Sequence, residues 1–469
     1  MTIRKTRNKY TAWIGLMAMV HVVDVLPMRA SAQPNPPATP TAAGSQNPGA
    51  TPSPSPSGST APAPAPAEAT PLAKAFDLWT SPTLTGDWGG VRKTLSDDGV
   101  EVTLYYNQQF QKNFRGGLDT HHAQRLSGSY DLSLLFDFEK MGFMDDAGFF
   151  LRGAKGTWSD GINPNKVGAI NNVNQDAGDD HPIFINKWWF WKKFLDNKIE
   201  LRLGMLQTNK DLFDVSPYAN HEDKDFINRG SIRNSTIPHR NGIGVFMKVT
   251  PVEWAYVQAA VVDAQSRPRR TGFDTAFHDE RYFLGYWEAG IKPKLPSPKG
   301  ELPGGYRVGA WYDPTIKEVF RDTLGGLRLA QRRGGDVGYY LGFDQMVWKE
   351  NENAKDSQGL GVFGRYGHAH QDVNRITDYW SLGASWKGLI DERNYDVTAL
   401  AVSQVILSDR FADERNQRVD RETAYEWYYA VQVAPWYIVT PHVQFVTNPG
   451  GGKDAHDAII AGVRMRVTF

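Results

Sequence analysis

The chain has 469 residues with 52 basic and 52 acidic side chains, so no overall charge draws it to nucleic acid or to an anionic surface. It contains no Cys, which excludes disulfides, thiolate zinc sites and cysteine nucleophiles. Its single apolar run near helix length lies at the N-terminus, which excludes a bundle of spanning helices but not a transmembrane β-barrel, whose alternating strands are polar on average.

At the N-terminus, Arg4, Lys5, Arg7 and Lys9 precede an apolar stretch from Ala12 to Val23 and the small residues Ala30-Ser31-Ala32. This is the pattern of a secretory signal peptide over residues 1–32, with a retained anchor helix as the alternative. Its removal leaves 47 basic against 51 acidic residues, a net charge of about −4. Residues 33–71 form a linker rich in Pro, Ala, Ser and Thr, with 11 prolines between 33 and 70 and Glu68 as the one charge in that stretch. Such a composition cannot bury a core and predicts an extended tether, either a passive spacer or a contact to peptidoglycan. Residues 72–99 read as an N-terminal periplasmic segment. A short helix is expected between Phe76 and Ser96, capped at Thr85-Gly86-Asp87, with Leu95 on its apolar face; it could plug or brace the periplasmic mouth.

From residue 100 onward the hydrophobic period is two. In the last stretch Ile459, Ala461, Val463, Met465, Val467 and Phe469 share one face, and Gly462, Arg464, Arg466 and Thr468 the other. Candidate strands fall near 100–110, 129–139, 147–157, 186–193, 198–206, 242–250, 253–263, 282–292, 305–313, 337–348, 359–367, 378–388, 395–407, 422–434, 437–447 and 458–469. The weakest of the sixteen are 147–157 and 395–407, where both faces carry apolar residues. Long connections at 111–128, 158–185, 207–241, 264–281, 314–336 and 408–421 alternate with short ones, so all long loops face one side. The fold class predicted is all-β: a transmembrane antiparallel barrel of about 16 strands, with short periplasmic turns and long extracellular loops. A soluble β-sandwich gives the same alternation but not this count and loop pattern. Trp188, Trp254, Trp386, Trp427 and Trp436 are candidates for interfacial girdles, or for simple packing.

Several segments carry a family resemblance: LTGDWGG at Leu84–Gly90, GYRVGAWYD at Gly305–Asp313, GYYLGFDQMVW at Gly338–Trp348, GLGVFGRYG at Gly359–Gly367, and ETAYEWYYAVQVAPW followed by PHVQFVTNPGG. In order and spacing they resemble the carbohydrate-selective porin family of the OprB type, over roughly Leu84–Phe469. The resemblance implies a sixteen-stranded outer-membrane porin admitting monosaccharides by passive or facilitated diffusion.

A pore for sugars needs a polar lumen with weak repeated binding, aromatic faces for C–H surfaces and charges of both signs for hydroxyls. The strand phase offers Arg152, Glu200, Arg202, Arg307, Asp344, Arg365 and Glu426 with Trp158, Trp311 and Trp380 as lining residues. The bland alternative is that these charges pair across the wall and stiffen it. The longest loop, 207–241, is expected to fold inward and bring Arg229 or Arg233 to the constriction; an outward, solvated loop is the alternative. Partners expected are outer-membrane lipid and small sugars, with a homo-oligomer possible. No cofactor or metal is expected: His368 and His370 read as solvated loop, as does the oxygen-rich stretch Asn171, Asn172, Asn174, Asp176, Asp179 and Asp180. No Gly-x-Ser-x-Gly, Walker A or His-Glu-x-x-His motif is present, so no enzyme is expected. The rival readings are a general small-solute porin, a lipid-hydrolysing barrel, and a plugged structural or adhesive barrel.

Overall fold

The alternation of apolar and polar residues closes into a barrel in the computed structural model. It describes residues 77–178, 181–219, 224–238, 241–266, 281–320, 331–353, 356–415 and 420–469. The expected signal peptide, the linker and the start of the N-terminal segment lie outside these, as do Asp179 and Asp180.

Sixteen strands make the wall: β1 Val100–Gly117, β2 Gln124–Asp137, β3 Ala147–Trp158, β4 Lys187–Phe194, β5 Ile199–Gln207, β6 Asn241–Val252, β7 Ala255–Asp263 and β8 Phe283–Ile291. There follow β9 Leu302–Asp313, β10 Asp336–Lys349, β11 Gly359–Ala369, β12 Ile376–Lys387, β13 Val397–Leu407, β14 Arg421–Ala434, β15 Tyr437–Thr447 and β16 His456–Thr468. Each pairs antiparallel with its sequence neighbours, and β1 pairs with β16, from Tyr105 opposite Thr468 to Gly117 opposite His456. Closure leaves no edge strand, which is what lets a sheet sit in lipid with every ladder amide paired. A short strand, His181–Phe184, extends the β4 side and pairs with the upper part of β3.

The wall sorts its residues by phase. Val245, Val257, Val261, Val308, Leu341, Leu382, Leu400 and Val443 are exposed on the outside, and Asn107, Gln109, Gln111, Ser129, Gln258, Glu288, Arg307, Glu426 and Gln444 are buried on the inside. An exposed apolar belt around a polar interior is the arrangement a bilayer selects. Two wide inward side chains lie across glycines of the facing strand. A Cβ at Gly309 would come within 2.1 Å of the Tyr340 ring, and one at Gly338 within 2.4 Å of Trp311, so the absence of a side chain there lets both rings lie flat on the wall.

One end of the barrel carries tight connections, such as Glu253–Trp254 and Pro435–Trp436, and the other carries the long ones. The connection after β1 is a correction: it was expected over 111–128, but spans only 118–123. Gln111 and Asn113 point inward between outward Phe110 and Phe114, a polar–aromatic alternation that extends both strands. At the tight-turn end, α1 (Val91–Asp97) precedes β1. Asp87 accepts the Lys93 amide at 2.9 Å, the Leu84 amide donates to the Thr468 carbonyl at 2.8 Å, and the Trp436 indole donates to the Leu78 carbonyl at 2.7 Å. The segment therefore braces the seam where β16 meets β1.

Candidate functional site

Two long connections, described over residues 159–178 and over 208–219 and 224–238, run into the barrel instead of over it. Both are rich in Asn, Asp and Ser, whose backbones need partners once buried, and the wall supplies them. Glu426 Oε1 and Oε2 accept the amides of Ile227 at 2.6 Å and Asn228 at 3.0 Å. Four residues earlier on β14, Glu422 accepts Ile170, Asn171 and Gly450 amides at 2.6, 3.0 and 2.8 Å. Gln111 and Gln444 both donate to the Val173 carbonyl, at 3.0 and 2.8 Å. Asp176 accepts from Ser129 at 2.6 Å and Asn174 donates to Ser127 at 2.8 Å. The oxygen-rich stretch is thus a set of pegs holding its loop to β2. The loops also hold each other: the Gln175 amide donates to the Ile227 carbonyl at 2.9 Å and the Arg229 amide to the Asn172 carbonyl at 2.9 Å.

A buried ionic joint seats the second loop. Arg307 Nε donates to Asp214 at 2.9 Å and its Nη1 to Asp344 at 2.7 Å, while Arg365 Nε lies 3.6 Å from Asp214. Arg365 also donates to the loop carbonyls of Ala219 at 2.8 Å and Ser231 at 3.2 Å. On the other side of Asp214, Glu288 accepts its amide at 2.8 Å, the Tyr340 hydroxyl at 2.9 Å, the Tyr256 hydroxyl at 2.8 Å and Gln258 at 2.9 Å. Beneath it Phe213 stacks on Tyr286 with centroids 5.3 Å apart, in a cluster with Phe246 and Trp311.

The expected lining residues therefore divide. Arg307, Asp344, Arg365, Glu426 and Trp311 face inward but are buried where loop meets wall, and Arg233, on the loop itself, is buried too. They are spent on seating the loops against the wall and are not exposed to the lumen. Arg152, Glu200 and Arg202 remain partly exposed on the inner wall, Arg152 3.4 Å from Asp131 and Arg202 2.6 Å from Glu200. Arg229, at the start of α2 (Arg229–Ile232), lies half-buried on the inward loop. Burial, and then the charge of Arg233, pull its guanidinium down to about 10, still a cation at neutral pH.

Trp158 and Trp380 are corrections: both face outward. A bulge at Gly153 breaks the register of β3 against β2, so the phase that turns Arg152 in turns Trp158 out, onto Gly128 and 5.5 Å from Tyr106. Trp380 alternates with inward Tyr379, whose hydroxyl donates to the loop carbonyl of Gly230 at 2.6 Å. Trp380 itself donates along the outer wall to Gln404 at 3.1 Å. The sequence reading missed an inner-wall row that does meet the lumen. Phe150 stacks on Trp189 with centroids 4.4 Å apart, and Arg202 lies 5.3 Å from Trp189 and 5.4 Å from Phe246. Lys187 sits beside this row, 2.5 Å from Asp211. Neighbouring Trp188 faces outward next to Phe149, and the run of apolar residues on both faces of β3 hid which aromatic points in.

Comparison with known proteins places this geometry. Residues 101–469 match the family described as carbohydrate-selective porin, OprB family. The chain is similar to Porin B of Pseudomonas aeruginosa, 25% identical over 424 residues that cover 83% of this chain and 92% of that protein. It is also similar to a putative porin, QuiX, of Acinetobacter baylyi, 22% identical over 84% of this chain and 95% of that one. The barrel superposes on the high-pH structure of Pseudomonas putida OprB with a TM-score of 0.75, at 21% identity, covering 84% of this chain and all of that one. The chain belongs to the OprB family of carbohydrate-selective porins, β-barrel transport channels of the outer membrane.

Proposed function

We propose that the protein admits monosaccharides by passive or facilitated diffusion through a lumen narrowed by its two inward loops. The observation that carries this is the row Phe150, Trp189, Arg202 and Glu200 beside the constriction. Stacked rings offer flat faces to sugar C–H groups, and the adjacent guanidinium and carboxylate offer donors and acceptors to hydroxyls. Such contacts are weak and close to the wall, which suits a solute that must also leave. The reading carries no catalytic role: the buried acids and arginines are spent on holding loops. It also takes residues 1–32 as a cleaved signal peptide, 33–71 as a linker that can reach peptidoglycan, and the apolar outer belt as the surface for lipid and for a homo-oligomer.

The test is single-channel recording of the refolded protein in planar bilayers with and without millimolar glucose. Channels that glucose interrupts briefly are the expected result, and W189A should shorten the interruptions several-fold. Channels indifferent to glucose would remove the sugar assignment, and no channels at all would favour a plugged barrel.

A further inference from the structure

Nearer the tight-turn mouth than Trp189, β4 puts a second aromatic ring on the inner wall. Trp191 follows Trp189 by two residues, so it shares that face and lies about 7 Å further along the strand, a step comparable to the width of one pyranose ring. It stands opposite Gly148 on β3, where a Cβ would come within 2.7 Å of the indole, and the bare backbone there lets the ring lie against the wall. On its other side it stands opposite Arg202, whose guanidinium also lies 5.3 Å from Trp189. The next inward pair is Lys193 opposite Glu200, with Lys193 5.6 Å from the Trp191 centroid and Glu200 2.6 Å from Arg202. Across β5, Lys248 faces the same Glu200 and lies 4.5 Å from the Tyr256 ring. Trp191, Lys193, Glu200 and Arg202 are all half-buried, so each keeps a surface toward the lumen.

We infer that the lumen holds a second sugar station at Trp191, in series with the one at Phe150 and Trp189 and joined to it by Arg202 and Glu200. The indole offers a flat face to C–H groups, Lys193 and Arg202 donate to hydroxyl oxygens, and Glu200 accepts from hydroxyls. Because cations and a carboxylate face one another here, the station suits a neutral ring rich in hydroxyls and offers a charged solute no field of single sign. A sugar leaving Trp189 keeps its hydroxyl contacts with the shared pair while its ring moves to the next indole, so the step needs no full release into water. Several weak sites in a row let a pore be selective and still let the solute leave. The inference rests on the sugar-pore reading and adds to it a second place of binding.

Single-channel recording with glucose, together with cysteine labelling, tests it. W191L should weaken glucose block at least about threefold, the loss of one ring-stacking contact. W191F keeps a flat face and should stay near the unmodified value, as should W188L on the outer wall. Because a variant at Trp191 can misassemble, the station is also read with the indole in place. K193C is then the sole thiol of the chain and is modified with a neutral, water-soluble thiosulfonate reagent. Millimolar glucose should slow that modification, and should still slow it in K193C/W189A, where the first station has lost its indole. Glucose block unchanged by W191L, W191F as weak as W191L, or labelling of K193C/W189A indifferent to glucose would overturn the inference and leave the sugar-pore reading standing. An unmodified channel that glucose never interrupts would overturn that reading, and the second station with it.

Discussion

Asp214 is the residue on which the inward loop turns. Its carboxylate meets two guanidiniums from different strands and its amide is held by Glu288, so one loop residue closes a joint between β8, β9, β10 and β11. Within such a joint each charge is tolerable only because its partners are present; removing one leaves the others buried and unpaired, at a cost of about 3–5 kcal/mol. D214A therefore should not leave the loop where it is. The cheaper outcome is that the loop leaves the wall and water reaches Arg307 and Arg365. The expected readout is a higher single-channel conductance with weaker glucose block, while the barrel keeps its resistance to unfolding in warm detergent. A variant with unchanged conductance would mean that the joint is not what seats the loop.

At the scale of elements, β14 acts as a double clamp. Glu422 holds one inward loop and Glu426, on the same phase, the other, each through paired backbone amides. Replacing either by Gln exchanges one acceptor oxygen for an NH2 that faces an N–H, costing about 1–3 kcal/mol. The loops also bond to each other, so E422Q and E426Q are expected to be non-additive in their effect on open-channel noise, with the double variant short of the sum. Additive effects would show the loops to be independent. The strands themselves were legible in the sequence because the bilayer enforces period two, and all sixteen form close to where that period places them. What it could not give was phase across a bulge: Arg152 and Trp158 are six apart and read as one face, yet Gly153 between them takes an extra step. Nor could it distinguish an inward charge that meets solutes from one that meets a loop, since that depends on contacts from 50 to 200 residues away, as Glu426 with Asn228 and Arg307 with Asp214 show. The absence of Cys makes the corrected phases directly testable. W189C should react with a water-soluble thiosulfonate reagent applied to the folded channel and change its conductance, while W158C and W380C should be protected by lipid. Rapid aqueous labelling of W158C would return that side chain to the lumen.

For the whole molecule, closure decides which parts the pore needs. A barrel whose first and last strands pair has no edge, and here the seam is further held by the segment after Asp77, through Leu84 on Thr468 and Leu78 on Trp436. Phe469 completes it by donating its amide to the Leu104 carbonyl at 2.9 Å. These bonds are made by residues 78–469, so the Pro-rich stretch at 33–71 is dispensable for a conducting channel if it serves as a tether. Deleting it should leave single-channel conductance, glucose block and heat resistance unchanged, and affect only attachment to the cell wall, read as co-sedimentation with purified peptidoglycan. Extending the deletion to residue 90 is a different experiment. It removes the donors at Leu84 and the acceptor at Leu78, and should lower the detergent unfolding temperature by leaving the ends of β15 and β16 to fray. If the shorter deletion already abolished the channel, the linker would be part of the working barrel and the tether assignment would fail.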